Sequence, residues 1–316
     1  MRIRPKVKSN QWGYFKILLQ GKGWWFKKLT FKNGFTSKQT HKKRDEIWVI
    51  YVPAGCKHKI GGKGDVLELA LGEPDEKDII RYDVNDGNVK GFILAAGLGT
   101  RLRPLTYEIA KPLITVDKIP IINRQVDLYL KYGIKDIVIN IPTKFKDDFY
   151  KWKESYYKDI NIEFIIEDEP TGTMLPLSKT RFDNVMVVAN ADEMKDFNLR
   201  EMIAFHKEND AVATLGLTEV ENPSAFGVVE MDGDKIKKFW QKPKNPPTNL
   251  INAGIYILNP EVMEYMPKDV NFSMMEKDLF PYLVKEKKLY GYKMKGTWVN
   301  TGTWDEYENA IKSLSK

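Results

Sequence analysis

The fold is decided by one stretch, residues 91–106, which reads Gly91-Phe92-Ile93-Leu94-Ala95-Ala96-Gly97-Leu98-Gly99-Thr100-Arg101-Leu102-Arg103-Pro104-Leu105-Thr106. Its apolar start, residues 92–95, is typical of a buried parallel strand. The small residues that follow allow backbone N–H groups to approach an anion closely. Arg101 and, ten residues later, Lys111 add two cations suited to phosphate oxygens. The stretch therefore predicts a phosphate-binding loop that follows a buried strand.

The remainder of residues 91–316 alternates apolar runs with helical patterns, which predicts an α/β domain with a mostly parallel sheet. Further buried strands are predicted at residues 137–141, 162–167 and 185–189. Helices are predicted at residues 122–132, ending at Gly133, and at residues 199–207.

Asp192 follows one of these strands, at the edge of the sheet where open α/β sheets bind ligands. A carboxylate at this edge favours a metal-binding role. The alternative is that Asp192 caps the helix at residues 199–207, although Asp196 and Asn198 lie closer to its start.

Residues 1–90 have a different pattern, with short apolar and polar runs separated by turn residues. The predicted strands are residues 14–19, 24–31 and 47–52. Short strands at regular spacing indicate a sandwich or barrel. The turn-rich residues 85–88 indicate a linker. We therefore predict a β domain at residues 1–84, a linker at residues 85–90 and the α/β domain at residues 91–316.

Composition and charge exclude several classes of protein. Hydrophobic residues make up 42% and charged residues 29% of the 316 residues, as in ordinary globular proteins. The lone cysteine, Cys56, permits no internal disulfide. With no apolar stretch of membrane-spanning length and no signal-peptide pattern, we expect a cytoplasmic protein without membrane contact.

The net charge of +7 is concentrated in the first part of the chain. Residues 1–90 carry 19 Lys and Arg against 10 Asp and Glu, a net +9, and residues 91–316 carry 31 against 33, a net −2. A basic domain can bind nucleic acid. Because these lysines are scattered, we favour solvated strand faces and do not expect nucleic-acid binding.

Residues 97–106 together with Lys111-Pro112 resemble the signature of the sugar-1-phosphate nucleotidylyltransferases, G-G-x-G-T-R-L-x-P-L-T followed by K-P. Further matches to the family occur in the same order along the chain, at residues 169–173, 226–230, 239–243, 252–256 and 298–303. The chain most resembles the branch that acts on mannose- or heptose-1-phosphates with GTP.

This resemblance implies a Rossmann-like nucleotidyltransferase domain in which a sugar-1-phosphate attacks the α-phosphorus of a nucleoside triphosphate and pyrophosphate leaves. The implied catalytic residues are Arg101 for the pyrophosphate, Lys111 for the α-phosphate and Asp192 for Mg²⁺ (or Mn²⁺). The implied nucleotide-binding residues are Leu94, Ala95, Ala96, Gly97, Gly99, Thr100, Glu169, Gly172 and Thr173. The implied sugar-phosphate-binding residues are Gly227, Lys242 and Asn252. A nucleoside triphosphate and a sugar-1-phosphate are thus the expected binding partners.

Three departures from the family pattern keep other interpretations open. Asn300 stands where the family has the second Mg²⁺ carboxylate, and an amide can bind a hard cation only without charge. Gln241 replaces a glutamate, and residues 174–176 replace A-G-A. The alternatives are a nucleotide-sugar-binding regulatory protein with attenuated catalysis, and transfer of a thymidylyl, uridylyl or cytidylyl group to another hexose-1-phosphate.

Residues 12–14, 39–48 and 51–58 resemble the cupin (jelly-roll) domain of type II mannose-6-phosphate isomerases, which is also attached to many mannose-1-phosphate guanylyltransferases. The resemblance implies His41, Glu46 and His58 as ligands of Zn²⁺ or Ni²⁺. Lys43 replaces a further histidine, and the chain is too short for one hairpin of the family. We therefore expect a trimmed structural, oligomerising or sugar-sensing module that supports homo-oligomers, with isomerase activity as the alternative.

Overall fold

A computed structural model describes residues 7–10, 13–21, 24–31, 48–52, 65–71, 89–267 and 269–314, the first five of these ranges as backbone. The chain divides into two compact units, residues 1–80 and 81–316. In the described part of the chain, no helix combines the length and apolar character needed to cross a membrane.

The described part of the first unit is a five-stranded sheet. Its strands are β1 (Val7–Asn10), β2 (Gly13–Gly21), β3 (Trp24–Phe31), β4 (Trp48–Val52) and β5 (Asp65–Leu71). They lie in the order β1-β2-β3-β5-β4, and the β4–β5 pair is parallel. The strands β2, β3 and β4 coincide with the three predicted strands. The proposed cupin ligands His41, Glu46 and His58 and the linker residues 85–88 lie outside the described residues, so the cupin assignment stays a prediction.

The second unit is an α/β domain. Its strands are β6 (Lys90–Leu94), β7 (Thr115–Val116), β8 (Ile119–Pro120), β9 (Asp136–Pro142), β10 (Asn161–Glu167), β11 (Met186–Asn190), β12 (Glu193–Phe197), β13 (Ala213–Glu219), β14 (Gly227–Asp232), β15 (Lys235–Gln241), β16 (Leu250–Leu258), β17 (Leu289–Lys293) and β18 (Gly296–Asn300). Its α-helices are α1 (Ile121–Lys131), α2 (Lys146–Tyr156), α3 (Leu199–Glu208), α4 (Phe280–Lys285) and α5 (Trp304–Leu314).

A nine-stranded mixed sheet forms the centre of residues 89–314, in the order β10-β9-β6-β11-β16-β13-β17-β15-β14. The first four strands are mutually parallel, as predicted from their apolar runs. The expectation of a mostly parallel sheet is wrong for the other half, which is mixed. There β16 runs antiparallel to both β11 and β13, whereas β13 and β17 are parallel. A tight hairpin also makes β14 and β15 antiparallel, whereas a parallel pair would need a crossover connection.

Helix packing fixes the parallel half of the sheet. Tyr129 of α1 is fully buried, and its hydroxyl donates to the backbone oxygens of Phe92 (3.0 Å) and Val187 (2.9 Å) on two neighbouring strands. The helix α3 begins at Leu199, and its N-cap is Asn198, whose side chain accepts from Glu201 N–H. Asp192 is therefore not the cap of this helix, which leaves its carboxylate available for a role at the sheet edge.

A second, two-stranded sheet carries the residues that flank Asp192. The strands β12 and β18 pair antiparallel, with Glu193 opposite Asn300 and Phe197 opposite Gly296. This two-stranded sheet places the segment that follows β11 beside the segment that precedes α5, although the two segments are far apart in the sequence.

Candidate active site

A cavity of about 350 Å³ opens at the carboxyl ends of β6, β9, β10 and β11. Its wall is formed by Leu94, Ala95, Ala96, Gly97, Gly99, Thr100, Arg101, Lys111, Pro112, Asn140, Glu167, Pro170, Gly172, Thr173, Asn190, Ala191, Asp192, Glu276 and Gly302. The position agrees with the rule that open α/β sheets bind ligands beyond the carboxyl ends of their strands.

The loop after β6 forms one side of the cavity. Within the part of the chain that the structure describes, no atom beyond its chain neighbours lies within 4 Å of where a side chain would begin at Gly97, so this side of the loop is open. The loop is braced from behind, because Thr106 Oγ1 donates to the backbone oxygen of Gly99 at 2.9 Å. Ala95 N–H donates to the side chain of Asn140 at 2.9 Å. A loop of exposed small residues on a fixed backbone suits a phosphate group, because nothing but backbone stands in the way of the anion.

Two polar residues at or near the ends of the neighbouring strands, Asn140 of β9 and Glu167 of β10, extend this support. Asn140 Nδ2 donates to Glu167 Oε1 at 3.0 Å, and Thr171 N–H donates to Glu167 Oε2 at 3.1 Å. Glu167 is buried, yet it reaches the cavity wall. Each carboxylate oxygen can accept a second hydrogen bond. Glu167 therefore offers acceptors to a ligand with N–H groups.

Lys111, next to Gly99 of the loop, forms an ion pair with Asp192, with Nζ and Oδ2 2.5 Å apart. The side chain of Lys111 is almost fully buried, whereas that of Asp192 is 34% exposed. Burial disfavours the charged form of Asp192, but Lys111 and then Lys195 outweigh it and hold the pKa of Asp192 below its ordinary value. The backbone oxygen of Asp192 accepts from Thr301 Oγ1 at 2.7 Å. A charged carboxylate thus lies at the cavity wall on a fixed backbone.

Arg101 lies exposed at the cavity rim, near Gly302. A Cβ on Gly302 would lie 3.1 Å from both Arg101 Nη2 and Asn300 Nδ2, and 2.9 Å from Glu306 Oε2. The Asn300 amide donates to Glu306 Oε1 at 2.8 Å. The guanidinium is therefore near the N-terminus of α5, and the Asn300 side chain is engaged with Glu306.

Behind Asp192, Glu193 is held by charged and polar side chains. Its Oε2 lies 2.9 Å from Lys195 Nζ and accepts from Trp298 Nε1 at 3.3 Å, and its Oε1 accepts from Asn190 Nδ2 at 3.3 Å. Burial raises the pKa of Glu193 in spite of the nearby Lys195. Gly254 of β16 has a φ of +60°, and a Cβ there would overlap the Glu193 carboxylate. This position therefore requires glycine for both backbone conformation and space.

The loop after β10 is clamped by residues 273–276. Ser273 N–H donates to Thr171 O, and Met174 N–H donates to Ser273 O, each at 3.0 Å. Thr173 Oγ1 donates to Glu276 Oε2 at 2.7 Å. Gly172 is required here, since its φ is +95° and a Cβ would overlap the Ser273 carbonyl. Met174, where the sequence departs from A-G-A, is buried in the core and makes a regular backbone contact.

The structure brings most of the predicted site residues to one cavity. Those in its wall are Leu94, Ala95, Ala96, Gly97, Gly99, Thr100, Arg101, Lys111, Gly172, Thr173 and Asp192. Those outside the wall are Glu169, Gly227, Lys242, Asn252 and Asn300. Glu169 and Lys242 are exposed, and the Asn252 side chain is engaged with Tyr256 OH and Gly254 N–H, each at 3.0 Å.

Several wall residues were not predicted: Asn140, Glu167, Asn190 and Glu276. Asn140, Glu167 and Asn190 lie at or near the ends of their strands. The signal that could have found them is a polar residue where a buried strand ends.

The residues in the cavity wall match the ligands of a divalent cation that binds together with a nucleotide. They match a metal site made of protein ligands alone less well. Mg²⁺ is usually held by one or two carboxylates together with substrate phosphates, and Asp192 supplies one such carboxylate. Among the described residues, no group of three or more His, Cys, Asp or Glu side chains could hold a metal ion. The remaining ligands of a cation at Asp192 would be oxygens of the nucleotide and of water.

A glycine loop, two cations and a carboxylate at the ends of parallel strands are the arrangement of a nucleotide-binding α/β protein. The nucleotidyl transferase family profile matches residues 90–316. The chain therefore belongs to the nucleotidyl transferase family, as the resemblance to sugar-1-phosphate nucleotidylyltransferases predicted.

Individual relatives agree with this family. The chain is 38% identical over 242 residues to a mannose-1-phosphate guanyltransferase of Yarrowia lipolytica, covering 72% of this chain and 66% of that protein. It is 36% identical over 225 residues to the Saccharomyces cerevisiae protein of the same name, covering 68% and 61%. The chain thus spans somewhat less than two thirds of the length of these relatives.

A crystal structure has the same fold. It is that of a Bacillus anthracis protein assigned as a glucose-1-phosphate thymidylyltransferase, in complex with sucrose. The TM-score is 0.66 at 24% identity, and the match covers 72% of this chain and 95% of the other.

Proposed function

We propose that the protein transfers a guanylyl group from GTP to a mannose- or heptose-type sugar-1-phosphate, with release of pyrophosphate. The observation that carries the proposal is the Lys111–Asp192 ion pair, which shares one cavity with the glycine loop and Arg101. The names of the relatives from Yarrowia lipolytica and Saccharomyces cerevisiae support the sugar and the base.

In the proposed reaction, a phosphate oxygen of the sugar-1-phosphate attacks the α-phosphorus of GTP. A new P–O bond forms, and the bond from the α-phosphorus to the bridging oxygen breaks as pyrophosphate leaves. Positioning and charge neutralisation account for most of the catalysis of such transfers. The chain supplies both through the loop amides and the two cations.

Each cation has a distinct task in this proposal. Lys111 carries three N–H donors, and its contact with Asp192 leaves others for oxygens of the α-phosphate. Arg101, at the exposed rim, neutralises the departing pyrophosphate with its planar fork of donors. Amides of residues 97–100 hold the remaining phosphate oxygens. When bound at Asp192, Mg²⁺ or Mn²⁺ would add neutralising charge between the two phosphates.

A preference for guanine is supported by Glu167. The edge of guanine presents two adjacent N–H donors, and a carboxylate is an acceptor for both. Glu167 is the buried carboxylate at the end of β10, fixed by Asn140 and Thr171. The sugar-1-phosphate is assigned, from the family resemblance, to Gly227 on β14, Asn252 on β16 and Lys242, which follows β15.

The test is pyrophosphate release by the full-length protein with Mg²⁺. The assay crosses GTP, dTTP, UTP and CTP with mannose-, heptose- and glucose-1-phosphates. Release that depends on GTP together with a mannose- or heptose-1-phosphate is the expected result. Release with another nucleotide would refute the base assignment. No release in the presence of demonstrable nucleotide binding would refute the transferase and support a regulatory nucleotide-sugar-binding protein.

A further inference from the structure

A buried ion pair lies next to the proposed catalytic carboxylate. The side chain of Lys195 is fully buried, that of Glu193 is 9% exposed, and Nζ and Oε2 are 2.9 Å apart. The Lys195 ammonium can donate three hydrogen bonds, and the Glu193 carboxylate is in contact with it. Burying two charges costs desolvation energy, so each of them depends on its partner. The position of the Glu193 carboxylate is therefore coupled to that of Lys195.

Glu193 connects the elements that surround Asp192. Its carboxylate accepts from Asn190 at the end of β11 and from Trp298 on β18. Its backbone oxygen accepts from the side chain of Gln125 on α1. Asn190 lines the cavity, and Asp192 is the residue that precedes Glu193. A displacement of the Glu193 carboxylate would therefore move two residues of the cavity wall.

We propose that the Lys195–Glu193 ion pair is the positioning element of this site. Lys195 fixes the Glu193 carboxylate, and Glu193 orients the Asn190 side chain and the backbone that carries Asp192. Neither residue lines the cavity, so both act through their neighbours. The inference rests on the proposed function, since it assigns Asp192 to a cation that arrives with the nucleotide.

The test is Lys195→Met, which keeps the length of the side chain and removes its charge. We expect kcat to fall by about tenfold or more, because a small displacement near the reacting groups is costly. KM for GTP in the presence of Mg²⁺ should rise only as far as the Mg²⁺ contribution to binding is lost, because the loop and Arg101 are untouched. Equilibrium GTP binding is measured with Mg²⁺ and with EDTA. The wild type should bind more tightly with Mg²⁺, and the variant should lose this difference.

A matched control uses a surface ion pair on α5. Lys312 and Glu308 are 2.7 Å apart, and both side chains are 65% exposed. Lys312→Met should change neither kcat nor the effect of Mg²⁺ on binding. If Lys195→Met does not fold, the double variant Glu193→Gln/Lys195→Met is tested instead. It also removes the Glu193 carboxylate, which the single variant leaves buried without its lysine. The folded double variant should show the same loss of kcat.

The outcomes separate this inference from the proposed function. If the wild type transfers no nucleotide, the proposed transferase is refuted. If the wild type nevertheless binds GTP more tightly with Mg²⁺ and Lys195→Met loses this difference, the positioning role is supported. An active wild type with an equally active, Mg²⁺-responsive Lys195→Met variant would overturn the positioning role alone. GTP binding that is identical with and without Mg²⁺ in the wild type would overturn it as well.

Discussion

Replacing Gly254 with alanine should damage both the stability of the protein and the candidate site. The backbone of Gly254 has a φ of +60°, where an alanine costs about 1–2 kcal/mol. A Cβ there would overlap the Glu193 carboxylate and lie 2.5 Å from Asn190 Nδ2. Because ordinary van der Waals contact begins at 3.4 Å, these groups would have to move by about 1 Å.

The magnitude follows from adding the two effects. Forcing an extra methyl group into a packed region costs about 1–3 kcal/mol. Together with the backbone cost, we expect a loss of about 2–5 kcal/mol in the free energy of unfolding. A displacement of about 1 Å at the site should also lower kcat by up to about 100-fold.

Gly233 provides a matched control for the backbone part of this loss. Its φ is +59°, and no atom of the described residues other than its chain neighbours lies within 4 Å of the place where a Cβ would be. Gly233→Ala should therefore cost about 1–2 kcal/mol and leave kcat unchanged. Urea unfolding and steady-state kinetics of both variants make the comparison. Equal losses of stability in the two variants, with kcat preserved in Gly254→Ala, would refute the crowding at Gly254.

Three further predictions concern charge. Arg101→Ala should lower kcat by about 100- to 1000-fold, as is typical when an enzyme loses one donor to a developing anion. The control variant Arg181→Ala, at another exposed position, should leave kcat unchanged. An unchanged kcat in the Arg101 variant would contradict the assignment of Arg101 to the pyrophosphate. In the wild type the Asn300 amide donates to Glu306 at 2.8 Å, and Asn300→Asp replaces this donor with a second carboxylate. The two carboxylates repel each other, so the melting temperature of the variant should fall in EDTA and recover with Mg²⁺. Equal melting temperatures in both buffers would argue against a cation between residues 300 and 306. His206 is buried, and burial lowers its pKa from 6.5 to about 4, so the unfolded chain binds more protons between these values. Stability should therefore fall by about 3 kcal/mol as the pH drops from 6.5 to 4, and His206→Gln should remove this part of the slope in urea titrations; an equal slope in the variant would contradict it.

Sequence patterns predicted the parallel half of the sheet because each of its strands is a compact apolar run. The run at residues 137–141 became β9, and the run at residues 162–167 became β10. The mixed strand directions of the other half were not predicted, because they depend on hairpins and on the pairing of β16 with two distant strands. Such long-range pairing leaves no local signal in the sequence.

Site residues could be predicted where a residue type suited to a phosphate or a cation stands at or just beyond the end of a predicted strand. The glycine loop, Arg101, Lys111 and Asp192 stand at strand ends or just beyond them, and the structure places all of them at one cavity. Glu167 was missed because it closes a strand and looks like an ordinary solvent-facing residue. Its neighbour Glu169 fits the family pattern better but is exposed and outside the cavity wall.

The Lys195–Glu193 pair shows another limit of sequence reasoning. A lysine two residues after a glutamate in a short strand is usually a pair of solvated side chains. Here β18 and Gly254 cover that side of β12, so both charges are buried. Only the tertiary arrangement reveals that a polar segment became interior.

The pairing of β12 with β18 has a consequence for how the protein is made. Glu193 of β12 and Asn300 of β18 are paired in the sheet but about a hundred residues apart in the sequence. During synthesis on the ribosome, Asp192 and β12 therefore emerge long before β18, with which β12 pairs. During that interval Lys195 and Glu193 remain in water, and closing the intervening loop is a late event. The nascent chain should therefore lack the Mg²⁺-dependent part of nucleotide binding until β18, residues 296–300, has been synthesised, and Mg²⁺ together with a nucleotide would add stability only to chains that have been extended that far.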